Sequence, residues 1–170
     1  MSETSWHQRR AFRWPLNILG VLALFWVVGA VQSRHLMDEE SLAPPLELRA
    51  LDGKRHALKD YRGKRVLLAF WAPWCTVCKL EKDNIARVRR WNEGEAVVLS
   101  VALSYDSVDA VRKFANEAGE DERFVLLGNR RVAQDFRIEA FPTHYIIDRD
   151  GTVDYAGQGY TTTLGLHWRL

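Results

Sequence analysis

"KRVLLAFWAPWCTVCK", Lys64 to Lys79, is the stretch on which the fold turns. Its first part is an apolar run bounded by Gly63 and Pro73, and it suits a central strand buried on both faces. Its second part holds both cysteines of the chain, Cys75 and Cys78, with two residues between them. A helix is expected from about Cys75 to Asn92, with Gly94 as its stop signal. The cysteines therefore fall where a strand turns into a helix.

The flanking elements follow from periodicity and turn chemistry. Upstream, "LELRALDGKRHAL" (Leu46–Leu58) alternates around Asp52-Gly53, a hairpin signal. Downstream, "AVVLSVAL" (Ala96–Leu103) reads as a second buried strand. Ser107 can cap a helix whose Val108, Val111 and Ala115 share a face. "RFVLLG" is then a short strand and "NRRVAQDFRI" a short helix. "THYIID" and "TVDYAG" form a hairpin about Arg149-Asp150-Gly151, and the tail from Thr161 closes as a helix. Strand–helix–strand followed by helix and hairpin gives an α/β fold, a mixed central sheet with helices on both faces.

The start of the chain reads differently. Leu16 to Val31 is broken only by Asn17 and small residues, and sixteen residues of helix at ~1.5 Å each span roughly 24 Å. Trp14 and Pro15 extend the segment. Arg9, Arg10 and Arg13 precede it, and Arg34 follows, which keeps the N-terminus in the cytoplasm and puts the C-terminal domain outside. Arg9-Arg10-Ala11-Phe12 resembles a twin-arginine export signal, but Arg13 extends the same cluster, as ordinary positive-inside charge does. Val31-Gln32-Ser33 lacks an A-x-A cleavage pattern, so an uncleaved signal anchor is expected. The divisions are 1–13, a cytoplasmic N-terminus; 14–32, a transmembrane helix; 33–45, a polar linker ending in Pro44-Pro45; and 46–170, the folded domain. The 170 residues carry a formal net charge of +2. The arginines before the apolar segment account for that excess, so the domain has no basic surface for nucleic acid.

A lone cysteine pair has four common uses. Structural zinc needs four ligands, and there is no second C-x-x-C. Haem attachment needs a histidine after the second cysteine, where Lys79 stands. A structural staple gains little entropy from so short a loop. Redox exchange explains the spacing. Unpaired N–H groups at a helix N-terminus stabilise a thiolate at Cys75. Cys78, one turn later, can resolve the mixed disulfide. An extracytoplasmic domain lies where disulfides form.

"FWAPWCTVCK" resembles the thioredoxin active site. The chain from about Leu46 to Gly159 further resembles the membrane-anchored thioredoxin-like proteins of the bacterial periplasm, the TlpA, ResA and DsbE group, near the suppressor-for-copper-sensitivity protein ScsD. Three motifs carry the likeness in order: "LDGKRHALKDYRGKRVLLAFWAPWC", the C-x-x-C, and "FPTHYIIDRDGTV". The resemblance implies a thioredoxin fold with an extra N-terminal β-hairpin, preceded by one transmembrane helix. It implies a thiol:disulfide oxidoreductase with protein disulfide or dithiol substrates, tethered to the bacterial inner membrane as a single-pass protein with its domain in the periplasm. It also implies work as a reductant, recharged by a membrane electron-donor protein. No organic cofactor or metal is called for.

The resemblance gives roles to further residues. Pro142, which the sequence alone would place at an ordinary strand start, is implied to follow a cis bond and face the cysteines. Phe141, Pro142 and Thr143 then border a substrate groove, where the backbone of Phe141 can pair with an extended chain. Trp74, next to the nucleophile, meets substrate. On the helix, Cys78, Glu81, Ile85 and Val88 fall on one stripe, which puts a carboxyl among apolar neighbours near the resolving cysteine. Burial favours the protonated form of such a group and suits it to exchange protons with a thiol. C-x-x-C-K-x-E, a ResA-like pattern, supports Glu81 in that role. Thioredoxins carry a buried Asp six positions before the first cysteine, where this chain has Ala69. Two alternatives stand beside this reading. A thiol peroxidase needs a Thr three positions before its cysteine, and Ala72 is there. A copper-binding assembly module would need a third ligand, for which His144 is the histidine placed near Pro142.

Overall fold

The structure, a computed structural model, describes residues 17–24, 27 and 35–170. Residues 17–24 are helical (α1). Among the described residues no helix is long and apolar enough to cross a membrane. The expected cytoplasmic N-terminus, 1–13, and most of the expected anchor, 14–32, lie outside the described residues. The folded unit comprises Leu36–Leu170.

Its central sheet has five strands: β3 (Arg65–Trp71), β4 (Ala96–Ala102), β5 (Val125–Leu127), β6 (Thr143–Ile147) and β7 (Val153–Gln158), in the order β5-β4-β3-β6-β7. β3, β4 and β5 run parallel, while β6 and β7 are antiparallel to their neighbours. The parallel pairs are joined by helices and the antiparallel pair β6–β7 by a tight turn, as those geometries require. A separate hairpin, β1 (Glu47–Arg49) and β2 (Arg55–Ala57), turns at the expected Asp52-Gly53. It is tied to the sheet through Leu51 N–H to the Val125 carbonyl at 2.9 Å. The resulting α/β architecture, a mixed five-stranded sheet with an added N-terminal hairpin, is the one the thioredoxin resemblance implies.

The apolar run of β3 is buried on both faces, as its sequence suggests. Val66, Leu68 and Phe70 join one cluster with Leu99, Tyr145 and Phe136, on the side of α4 (Arg130–Asp135). Leu67 and Ala69 face Ile85 and Val88 of α2 (Thr76–Trp91) and Leu166 of α5 (Thr163–His167). Trp71 and the two cysteines pack with Val111 and Phe114 of α3 (Val108–Glu117). Strand period two thus divides one chain segment between separate cores.

Residues 36–45, read from composition as part of the tether, pack on this unit. Leu36 is buried in the first cluster. Glu40 N–H donates to the Val153 carbonyl at 2.8 Å, and Ala43 N–H to that of Gly151 at 3.0 Å. This backbone pairing along β7 satisfies groups that an edge strand leaves open.

Candidate active site

The turn from β3 into α2 positions the cysteines. Cys75 is the N-cap of α2, with extended backbone, and its Sγ accepts the Cys78 N–H at 3.2 Å. Cys75 N–H is bonded to the Ala72 carbonyl at 3.0 Å. Two hydrogen bonds, one of them the cap, therefore fix the first cysteine at the positive end of a sixteen-residue helix. Cys75 and Cys78 are joined as a disulfide. Both are nearly buried, Cys75 at 6% exposure. The same geometry that caps the helix would stabilise a Cys75 thiolate after reduction, since the Cys78 N–H then donates to an anion.

The rim is apolar. Trp74 is 60% exposed, donates its indole N–H to the Ser104 carbonyl at 2.7 Å, and meets Phe141 edge-on with ring centroids 5.8 Å apart. The Phe141–Pro142 bond is cis, and Cys75 Sγ lies 3.6 Å from the Phe141 carbonyl oxygen. Val77, between the cysteines, is also exposed. Thr143 is placed differently from its expected groove position. It is fully buried in β6, with its hydroxyl donating to the Ala140 carbonyl at 2.8 Å. A strand alternates faces, and β6 is covered on both, so the side chain after Pro142 turns inward.

Beneath the cysteines lies a firm floor. Trp71 stacks on Phe114 with centroids 4.1 Å apart and donates its indole N–H to Ser100 Oγ at 2.7 Å. Glu81 is 2% exposed, on the α2 stripe with Cys78, Ile85 and Val88. Its Oε1 accepts the Thr161 N–H at 2.6 Å, and its Oε2 lies 3.1 Å from His144 Nε2. A second buried carboxyl, Glu120, is paired with Arg89. Burial pushes Glu120 upward from the ordinary carboxylate range, against the lowering pull of Arg89. Glu81, Glu120, Ser100, His144 and Cys78 all line one small cavity of about 20 Å³.

Sequence reasoning assembled Cys75, Cys78, Glu81, Trp74, Phe141 and Pro142, and the structure brings these together. It missed Ser100, Thr161 and the contact of His144 with Glu81. His144 entered only as a possible copper ligand, whereas its Nε2 faces Glu81. Among the described residues no group of three or more His, Cys, Asp or Glu is arranged to hold a metal ion. The available signal was Ala69, a small residue at the centre of an otherwise bulky strand, which leaves room for a neighbour.

The AhpC/TSA family model matches residues 40–156. Over 149 residues the chain is 32% identical to the thiol-disulfide oxidoreductase ResA of Geobacillus thermodenitrificans (strain NG80-2), covering 86% of this chain and 85% of that protein. It is 30% identical over 139 residues to the thioredoxin-like protein YneN of Bacillus subtilis (strain 168), covering 79% of each. Among solved structures, that of MTB DsbF in its mixed oxidized and reduced forms superposes with a TM-score of 0.67 at 27% identity. The match covers 73% of this chain and 91% of that one.

Proposed function

We propose that this chain, which belongs to the AhpC/TSA family, works outside the cytoplasm as a reductant of protein disulfides. It is a thiol:disulfide oxidoreductase of the thioredoxin-like, ResA-related kind, and Cys75 and Cys78 are its redox pair. The observation that carries the proposal is the placement of Cys75. It caps α2 with its sulfur toward the rim formed by Trp74 and Phe141, while Cys78 lies behind it beside a buried carboxyl.

In the reduced protein, Cys75 thiolate attacks one sulfur of a substrate disulfide. A Cys75–substrate bond forms, the substrate S–S bond breaks, and one substrate thiolate leaves. Cys78 then gives its thiol proton to the Glu81 carboxylate. The Cys78 thiolate attacks Cys75 Sγ, the intramolecular disulfide forms, and the second substrate thiolate departs. Glu81 returns its proton toward the departing sulfur. Two electrons have passed to the substrate. A dithiol donor in the membrane restores the pair by the reverse exchange. Trp74, Phe141 and the backbone at Pro142 hold an extended substrate segment across Cys75.

The anchor reading of residues 14–32 belongs to the same proposal, with a single-pass chain and the domain in the periplasm of a bacterial inner membrane. The likeness to ScsD makes copper-stress proteins a candidate substrate class beside apocytochrome c. Expression of Cys78→Ser in cells tests the reading. Cys75 should accumulate as mixed disulfides with a small set of extracytoplasmic proteins. Recovery of the variant solely as free thiol or glutathione adduct would refute it. Equilibration of the wild-type domain with glutathione sets the direction, and a potential more oxidising than glutathione would overturn the reductant assignment.

A further inference from the structure

Four residues line up across the sheet. Ser100 of β4 pairs with Ala69 of β3, Ala69 with His144 of β6, and His144 with Gly157 of β7. Side chains at paired positions stand on one face, which here is the face covered by α2. Ala69 offers only a methyl group beside His144, and Gly157 offers nothing. The imidazole fills that space at 1% exposure, with Nε2 3.1 Å from Glu81 Oε2. Neither ring nitrogen has an aligned hydrogen-bond partner. A histidine so placed is costly unless its protons are used.

The structure assigns His144, we propose, as the positioning residue and proton partner of Glu81. The inference rests on the reading that Glu81 takes the Cys78 proton. Thr161 N–H donates to Oε1 and the His144 ring edge stands 3.1 Å from Oε2, so both oxygens of the buried carboxyl are flanked and its direction is set. Imidazole is the side chain that can both hold and release a proton near neutral pH. When Cys78–SH becomes Cys78–S⁻, the pair gains one proton. It holds that proton as carboxylic acid with neutral imidazole, or as carboxylate with imidazolium. In the second form opposite charges lie in contact within a poorly solvated site, where their attraction is strong. The cavity beside Cys78, at about 20 Å³, has room for one water, so the proton need not cross by direct contact.

Other ionisable groups face this site and bound the interpretation. From α2 come Cys78 and Lys82, the latter 3.6 Å from Glu117. Glu120, after α3, is held by Arg89. Tyr155 of β7 folds its hydroxyl over Gly157, in the space a side chain there would need. β3 presents no ionisable group to the site.

The test follows single turnovers of the reduced full chain with 5,5′-dithiobis(2-nitrobenzoate). Attack by Cys75 releases one coloured thiolate and leaves a mixed disulfide, and attack by Cys78 releases the second. His144→Gln and His144→Thr should each slow the second phase about tenfold near neutral pH, equal to one unit along the pH–rate profile. The first phase should change little, and neither variant should add to the effect of Glu81→Gln. If Glu81→Gln leaves the second phase unchanged, the underlying reading of Glu81 fails. If Glu81→Gln slows it and both His144 variants keep the wild-type profile, the present inference alone fails. Uniform slowing at every pH, or loss of the pH term in Glu120→Gln instead, also overturns it. In the wild-type protein, the His144 ring resonances should differ in position between the dithiol and disulfide forms, and that difference should vanish in Glu81→Gln. Ring resonances indifferent to redox state refute the inference even where a variant does not fold.

Discussion

The bond from Trp71 to Ser100 allows a quantitative test of the floor beneath the cysteines. Trp71 Nε1 donates to Ser100 Oγ at 2.7 Å, and both residues are buried. Ser100→Ala removes the acceptor and leaves an indole N–H unsatisfied in the core, which costs about 1–3 kcal/mol. The adjoining small cavity, which both residues line, could admit a water to the freed N–H, so the lower half of that range is expected. Trp71→Phe removes the donor and part of the ring stacked on Phe114, and destabilises on its own account. In that background Ser100→Ala has no N–H left to orphan and should cost under about 0.5 kcal/mol. The cycle should therefore show a coupling energy of about 1 kcal/mol, within the range for residues in contact. Urea unfolding of the four oxidised proteins measures it. With a slope of about 2 kcal/mol/M, Ser100→Ala should lower the midpoint by about 0.5–1 M in the wild-type background and far less in Trp71→Phe. Equal shifts in both backgrounds would refute the reasoning, because the hydrogen bond would then carry none of the cost.

Three further outcomes are expected. Leu166→Ala should destabilise by about 2–5 kcal/mol in urea unfolding, since Leu166 is fully buried against Leu67, Ile85 and Ile146; a cost below 1 kcal/mol would show that α5 is not integral to the core. Glu120 keeps its proton in the folded state at pH values where the unfolded chain has released it, so stability falls as pH rises from the ordinary carboxylate range through the raised folded value. Asp121, held low chiefly by the hydrogen bond from Arg123, adds the opposite slope at lower pH. The difference between wild type and Glu120→Gln should therefore isolate the falling limb, and parallel pH–stability curves would remove Glu120 as its source. Trp74→Ala should raise KM for an unfolded disulfide substrate about three- to tenfold, from loss of an exposed aromatic contact, with little change in kcat; an unchanged KM would place the substrate elsewhere.

What the sequence made legible was local. The β3 run from Val66 is apolar because both its faces are covered, and the Cys75 cap is readable because a strand ending before Pro73 has to turn before the helix begins. The α2 stripe places Glu81 in the core through a spacing within one element. What stayed hidden depends on pairing between elements. His144 meets Glu81 because it stands opposite Ala69, and a one-residue slip of β6 would send the imidazole to the other face. The inward turn of the Thr143 side chain depends on the same register. Residues 36–45 look like a tether because the stretch is polar and ends in Pro44-Pro45, yet they dock through backbone groups at the start of β7 and the turn before it, which composition does not report.

Ala69 links these two kinds of information. Thioredoxins place a carboxyl at this strand position, and here the position carries a methyl group. The space it leaves is bordered from two sides, by the imidazole of His144 from the next strand and by the carboxyl of Glu81 from the helix above. Two groups on separate elements then stand near the position of one on the central strand. Such an arrangement has two adjustable parts. The His144 ring stands 3.1 Å from one carboxylate oxygen, while the amide of Thr161, carried on the segment before α5, holds the other. Ala69→Asp therefore tests whether the site can hold both solutions. A third buried acid group beside Glu81 would have to share the same imidazole, and like charges in one dry site cannot all ionise. The variant should destabilise the fold by more than an isolated polar burial at a site already furnished with a base. Double substitution with Glu81→Gln should recover part of that loss. Absence of recovery in urea unfolding would show that Ala69 and Glu81 do not compete for one proton-holding space.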